Sequence, residues 1–233
     1  MRIRPKVKIS NKSVAFIAAI LIFGLGSYLL GWSSLFTVSQ IEITGAPTQA
    51  AQQEVAKRLD LQIGEKLARV DSRALALRLK SADWIKSADI SRNWINGKVL
   101  IDLTLRAPVA IYSEPGKPQV ALDASGEVFQ VRGGLPAGLP KVSAASVSSG
   151  LAAIKVFTEM PKEFSAGISS LNATSEINLV ITGKFGGKSL QIIWGDGEDT
   201  SLKIKVINAL LEQPENKSIH LIDVTAPHAP IVK

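Results

Sequence analysis

The chain has 233 residues and no cysteine, which excludes disulfide bonds and thiolate metal sites. Its formal net charge is +7, but the first twelve residues contribute +5, and the rest, with 22 basic and 20 acidic side chains, only +2. The high isoelectric point therefore comes mostly from one short tail, and we predict no nucleic-acid binding, which needs a basic surface on a folded domain.

An uncharged run of 23 residues, from Val14 to Phe36, follows this tail. As a helix it would be about 34 Å long, which fits the roughly 30 Å hydrocarbon core of a bilayer. Leu25 lies near its centre, and Tyr28 and Trp32 lie toward its far end, where aromatic rings favour the membrane interface. We predict a transmembrane helix over residues 13–36. It is too long for the apolar region of a signal peptide, and no small-x-small cleavage site follows it.

The tail, residues 1–12, predicts the orientation of this helix. It has no acidic residue, and its basic residues are Arg2, Arg4, Lys6, Lys8 and Lys12. A basic flank stays in the cytoplasm, so we predict a single-pass type II protein of the cytoplasmic membrane, with residues 37–233 outside the cytoplasm. The tail is also expected to attract anionic lipid of the inner leaflet.

The next 70 residues predict the order strand, helix, helix, strand, strand. The first strand covers residues 36–45 and ends at a glycine, and Thr48 can cap the first helix. Asp71 or Ser72 can cap the second helix. A strand through WIKSADISRNW leads to the tight-turn pair Asn96-Gly97. The strand after the turn alternates apolar and polar residues and points Val99, Ile101, Leu103 and Leu105 to one face.

The rest of the chain predicts a mostly antiparallel sheet with helices packed on it. Short strands are predicted at residues 109–112 and 120–122, followed by a type I turn over 123–126. A helix is predicted from Ser146 to Met160, and further strands at 167–173, 177–181 and 190–194, the last two as a hairpin. A helix from Thr200 or Ser201 ends before Pro214, and the last strand covers 218–225. We predict that the tail after it is extended and that no later strand covers it. The fold class is α+β.

No catalytic, cofactor or metal site is predicted. Asp196, Glu198 and Asp199 form an acidic cluster, but an EF-hand loop would need a glutamate at its twelfth position, so we interpret them as a polar turn at a helix N-terminus. His220 and His228, the only histidines, lack the partners of a zinc site or a hydrolytic dyad. The sequence therefore favours a protein that is not an enzyme and has no small-molecule substrate.

Four stretches resemble the FtsQ/DivIB family of bacterial cell-division proteins, whose first extracytoplasmic domain is a POTRA domain. They are IEITGA, LQIGEKLARVDSRALALRLKSADWIKSADISRNW, KVLIDLTLRAPVA and LDASGEVFQV. The most specific parts are the pair Trp84-Ile85 and the run from Arg106 to Ala110. Two positions depart from the family pattern: Ile95 stands where a proline is usual, and Leu105 where a glutamate is usual.

The resemblance implies a POTRA domain at residues 37–107 and a C-terminal β domain at 108–233. It also implies a non-enzymatic membrane scaffold at the division septum that gathers single-span division proteins of the FtsB/DivIC and FtsL kind. A partner segment would extend a sheet edge by main-chain hydrogen bonds. The implied partner-binding residues lie in the last strand: Ile219, Leu221, Ile222, Asp223, Val224, Thr225 and Ala226.

Two other functions compete with this interpretation. A POTRA-bearing transport or secretion component needs a β-barrel in the outer membrane, for which the residues after Ala107 are too few. A membrane-anchored cell-wall enzyme needs a catalytic constellation that the sequence does not contain.

Overall fold

A computed structural model describes residues 11–32 and 36–233. The chain divides into two compact units, with the boundary between Leu105 and Arg106. In chain order the elements of the first unit are α1 (Asn11–Trp32), β1 (Gln40–Thr44), α2 (Gln49–Leu59), α3 (Ser72–Lys80), β2 (Ile85–Asn93) and β3 (Lys98–Leu105).

The elements of the second unit follow without a break in the chain. They are β4 (Pro108–Ser113), β5 (Val120–Asp123), β6 (Val128–Phe129), β7 (Lys141–Ala144), α4 (Val147–Glu159), α5 (Lys162–Ser165), β8 (Ile168–Ser175), β9 (Asn178–Phe185), β10 (Lys188–Gly195), α6 (Thr200–Glu212), β11 (Leu221–Asp223) and β12 (Ile231–Val232).

Helix α1 covers most of the predicted membrane span but ends at Trp32. Its large apolar side chains between Val14 and Tyr28, with Leu25 among them, are exposed. Among the residues whose side chains the structure describes, no helix combines the length and the hydropathy that a bilayer crossing requires. The predicted orienting residues Arg2, Arg4, Lys6 and Lys8 lie outside the described residues, as do the side chains of Lys12 and Trp32.

The segment that begins at Phe36 belongs to the folded part of the first unit. The described part of α1 ends at Trp32, residues 33–35 lie outside the described residues, and the ring of Phe36 packs edge-on against Trp94 with a centroid distance of 6.1 Å. The first strand begins later than predicted, at Gln40, because residues 36–39 bond mainly to two loops instead of to a strand.

The first unit confirms the predicted order of one strand, two helices and two strands. Strand β3 lies at the centre of its sheet, parallel to β1 and antiparallel to β2. The predicted caps form: the Thr48 side chain accepts a hydrogen bond from the Ala51 amide, and Asp71 accepts from the amides of Arg73 and Ala74. Val99, Ile101 and Leu103 are buried, as their alternation predicts.

The second unit is one nine-stranded sheet with helices on one face. The strand order is β12-β11-β10-β9-β8-β7-β4-β5-β6. The parallel connections β7-α4-β8 and β10-α6-β11 both step in the same direction across the sheet. Because such crossovers are right-handed, α4 and α6 cover the same face, and side chains of both helices belong to one core cluster.

Register places one row of apolar side chains across eight of these strands. In strand order the row contains Val232, Ile222, Ile192, Ile181, Leu171, Val142, Tyr112 and Val120. The six in the middle of the row are buried. This row, which we call the inner row, forms the sheet side of the core beneath α4 and α6.

An ion pair joins the run from Arg106 to Ala110 to the stretch LDASGEVFQV. The guanidinium of Arg106 donates to the Asp123 carboxylate at 2.8 Å, and both side chains are mostly buried. The other carboxylate oxygen accepts from the Ser125 hydroxyl at 2.6 Å and from the amides of Ser125 and Glu127. Burial alone raises the pKa of Asp123, but these hydrogen bonds outweigh it and lower the pKa to about 2.

We expect Ile101→Ala to destabilise the folded domains by roughly 2–5 kcal/mol, because it opens a cavity beneath the helices of the first unit. Thermal unfolding of residues 37–233, followed by circular dichroism, measures this. Thr104→Ala on the exposed face of β3 is the control and should leave the transition unchanged. Equal melting curves for the two variants would mean that Ile101 does not face the core.

A second prediction concerns acid stability. The folded pKa of Asp123 lies below its unfolded value of 3.8, so its contribution is fully present above about pH 4 and is lost as the pH falls toward about 2. Asp123→Asn should lower the free energy of unfolding by roughly 3 kcal/mol at neutral pH, because it leaves Arg106 buried without its anion. The difference from the parent should shrink between about pH 4 and about pH 2 in acid-unfolding curves. Glu127→Gln in the same turn is the control, and a pH-independent difference for Asp123→Asn would contradict the assignment.

Candidate partner-binding edge

The predicted partner-binding strand is shorter than its sequence indicates. Only Leu221, Ile222 and Asp223 form β11. Ile219 follows a 3-10 turn over Pro214–Ser218, Val224 is buried beyond the strand end, and Thr225 and Ala226 are exposed. Asp223 serves the local turn, since its carboxylate accepts from the Thr225 amide at 2.9 Å and the Thr225 hydroxyl at 2.7 Å.

Strand β11 is also not the edge of the sheet, so the prediction that no later strand covers it was wrong. On one side β11 pairs in parallel with β10, and on the other it pairs antiparallel with β12. The two prolines of the tail do not keep it extended. A turn in which the Ala229 amide donates to the Ala226 carbonyl at 2.9 Å reverses the chain, and residues 231–232 return along β11.

The hydrogen bonds of β11 define which backbone groups point outward from β12. The Leu221 and Lys233 amides each donate to the other residue's carbonyl at 3.0 Å, so these two residues form a hydrogen-bonded pair. In an antiparallel ladder the next pair, Ile222 with Val232, is non-hydrogen-bonded. The N–H and C=O of Val232 therefore point away from β11, toward the open edge of the sheet.

The side chains at this edge differ between the two faces of the sheet. Val232 is half-buried at the end of the inner row. Ile231 lies on the opposite face, next to Asp223 of β11, and is 54% exposed. A strand added here would find an apolar side chain on each face and one outward-pointing backbone donor and acceptor between them.

Two buried polar side chains hold the connections that position β11, and sequence reasoning missed both roles. Lys203 of α6 is 1% exposed. Its ammonium donates to the Asp196 carboxylate at 2.9 Å and to the Asp196 carbonyl at 3.1 Å, and it lies 5.6 Å from the ring centre of Trp194. The hydrogen bond from Lys203 lowers the pKa of Asp196. Asn216 donates to the Leu210 carbonyl at 2.9 Å and so closes the turn after α6.

This geometry also explains the acidic cluster and the histidines. Asp196 is used by Lys203, and Asp199 precedes α6 in the left-handed region, with φ 52°. His220 contributes its backbone to both neighbours of β11, with its amide donating to Lys233 and its carbonyl accepting from Gln191. Within residues 11–32 and 36–233, as far as they are described, no three acidic or histidine side chains group as metal ligands would.

Comparisons with known proteins match both units. A domain model described as "POTRA domain, FtsQ-type" matches residues 36–104. A cell division protein FtsQ of Streptomyces venezuelae is 27% identical over 228 residues, which cover 92% of this chain and 80% of that protein. The protein of the same name from Mycobacteroides abscessus is 26% identical over 92% of this chain and 67% of its own length, and that of Streptomyces collinus is 25% identical over 94% and 87%.

Proline substitutions should separate the two sides of β12. Val232→Pro removes an outward N–H and should leave the melting temperature nearly unchanged, because proline is tolerated on edge strands and the residue before it is already extended. Ile231→Pro removes the inward N–H opposite Asp223 and should lower stability by roughly 1–2 kcal/mol.

Amide hydrogen exchange tests the same register locally. The Leu221 amide should keep its protection in Val232→Pro and lose much of it in Ile231→Pro. The reverse pattern would shift the register of β12 by one residue and would make Ile231 the outward-facing residue.

Proposed function

Because this chain belongs to the FtsQ/DivIB family of cell-division proteins, we propose that it is a non-enzymatic, membrane-anchored scaffold that gathers other division proteins through the β12 edge. The observation that carries the proposal is the outward-facing backbone of Val232 on a two-residue terminal strand. The FtsQ-type domain at residues 36–104 favours this function over a transport or secretion role.

The mechanism is strand addition. A partner segment in extended conformation lies along β12 and exchanges main-chain hydrogen bonds with Val232. Its side chains then alternate between Ile231 on one face and the end of the inner row on the other. The added strand also covers the exposed part of Ile231, and burying apolar area contributes about 25 cal/mol per Å².

The residues predicted from the sequence act behind this edge. Ile222 and Val224 are buried and anchor β11, Leu221 pairs with Lys233, and Asp223 closes the turn that lets β12 return. Partners of the FtsB/DivIC and FtsL kind are single-span proteins, so a segment close to their own membrane anchor is a suitable occupant.

The membrane anchor is the second part of the proposal. Its support is the uncharged sequence from Val14 to Phe36, the basic residues before it, and the apolar side chains that α1 exposes between residues 14 and 28. Exposed apolar side chains around a helix are stable in lipid but not in water. In this arrangement the amino terminus is cytoplasmic and residues 37–233 lie outside the cytoplasm, at the division septum.

Site-specific photocrosslinking in membranes tests the edge. A photoreactive residue at Ile231 should capture division proteins of the proposed kind, while one at Gln191, an exposed position two strands inside the edge, should not. Val232→Pro should abolish the capture at Ile231, because it deletes the outward donor. Val232→Thr, which keeps the branched shape and the amide, should retain it.

Two results would count against the proposal. Undiminished capture in Val232→Pro, with the fold intact, would move the binding site away from β12. Failure to capture any division protein at positions along 219–232 would remove the support for a scaffold at this edge.

A further inference from the structure

We infer that one end of the first unit lies against the lipid headgroups, and that Ile63, Trp94 and Ile95 are its contact residues. The inference rests on the proposed membrane anchor, because it needs α1 to be inserted in the bilayer. We call this end, formed by residues 36–39, 60–67 and 93–97, the proximal end.

The proximal end is built around the segment by which the chain enters the first unit. On one side of the segment, the Val38 amide donates to the Glu65 carbonyl at 2.8 Å and the Gly64 amide donates to the Val38 carbonyl at 2.8 Å. On the other side, the Ser39 amide donates to the Gly97 carbonyl at 2.8 Å. Residues 36–39 thus lie between the loop after α2 and the tip of the β2–β3 hairpin.

Each of these two loops exposes an isoleucine. Ile63 is 72% exposed, and Ile95 is 98% exposed, the highest value among the exposed large apolar side chains of the described residues. Trp94, next to Ile95, is 36% exposed. A single exposed apolar side chain is ordinary. Three of them lie on the two loops that flank one chain segment, and exposed apolar residues grouped in this way mark contact sites.

The hairpin tip presents Ile95 on a fixed scaffold. The Asn93 side chain accepts from the amides of Ile95 and Asn96, at 3.0 and 3.3 Å, and the Gly97 amide donates to the Asn93 carbonyl at 3.0 Å. Trp94 packs against Phe36 and lies 5.4 Å from the Arg92 guanidinium. These hydrogen bonds and ring contacts hold the turn in one conformation, although the exposed side chain of Ile95 does not pack in the core.

Arg92 joins the hairpin to the region that follows the other loop. Its guanidinium donates to the carbonyls of Leu67 and Val70 at 3.0 and 2.8 Å. The two isoleucine-bearing loops are therefore parts of one rigid surface.

The length of chain between α1 and the proximal end identifies lipid as the occupant. Trp32 and Phe36 are four residues apart, which spans at most about 14 Å when fully extended. The headgroup region on each side of a bilayer is roughly 5–8 Å thick. If α1 crosses the bilayer, Phe36 and the loops bonded to its segment stay within reach of the headgroups. Tryptophan and isoleucine are suited to that layer, where an aromatic ring has apolar and polar surroundings.

The absence of cysteine makes a direct test possible. Single cysteines are introduced in the full chain at Ile95, at Leu25 in α1, and at Leu77, an exposed leucine of α3 that serves as the matched control (66% exposed). Each variant is labelled with an environment-sensitive fluorophore. It is then reconstituted in vesicles of phosphatidylethanolamine and phosphatidylglycerol that carry nitroxides either at the headgroup or deep in the acyl chain. The protein is diluted enough in lipid to keep copies apart.

The label at position 95 should be quenched by headgroup nitroxides several-fold more than the label at position 77, and its emission should shift to the blue. The label at position 25 should be quenched by the deep nitroxides. Because the Ile95 side chain is almost fully exposed, the substitution is not expected to affect folding, and circular dichroism checks this.

Two outcomes would overturn the inference, and they are distinguishable. If position 25 is quenched but position 95 behaves like position 77, the anchor stands and the proximal end does not touch lipid. Protection of position 95 in cell membranes, without quenching in these vesicles, would then assign the proximal end to a protein. If position 25 is not quenched, the proposed anchor fails and the inference fails with it.

Discussion

An open sheet must end somewhere, and its last strand leaves backbone donors and acceptors without partners. In the second unit the inner row holds eight strands against α4 and α6, so the sheet is stable as far as Val232 at one end of that row. Within residues 11–32 and 36–233, the backbone of β12 is then satisfied on one side only. The candidate binding edge is thus a direct result of how the core is built. Val232 is the last residue of the inner row, and its backbone also faces the open edge of the sheet.

Long, regular elements were predictable because their pattern is local. The alternation in β3 identifies both the strand and its buried face, and the caps Thr48 and Asp71 lie within three residues of the amides they bind. Strands β7 and β12 were not predicted. They have four and two residues, too few to show a period, and they are strands because neighbours distant in sequence pair with them.

The candidate site also has some parts that could be predicted from local sequence and others that could not. The last strand could be located from its sequence to within a few residues, but whether it was an edge depended on the path of the tail after Pro227. The roles of Lys203 and Asn216 were also hidden, since each becomes buried only when α6 and its flanking turns form. The pairing of Arg106 with Asp123 had a signal in the sequence, because both residues belong to the motifs that carried the family resemblance.

Strand β12 is preceded by Pro230, which has no amide hydrogen, so that in the described part of the chain its outward donor is the amide of Val232. Sheets that expose long, regular edge strands pair edge to edge with copies of themselves and aggregate. An edge with one outward N–H cannot serve as a template for such a ladder, because a second copy would gain too few hydrogen bonds to offset the loss of freedom on association. The short edge therefore disfavours self-association, and a segment that does bind must add side-chain contacts with Ile231 and the inner row to its main-chain hydrogen bonds with Val232.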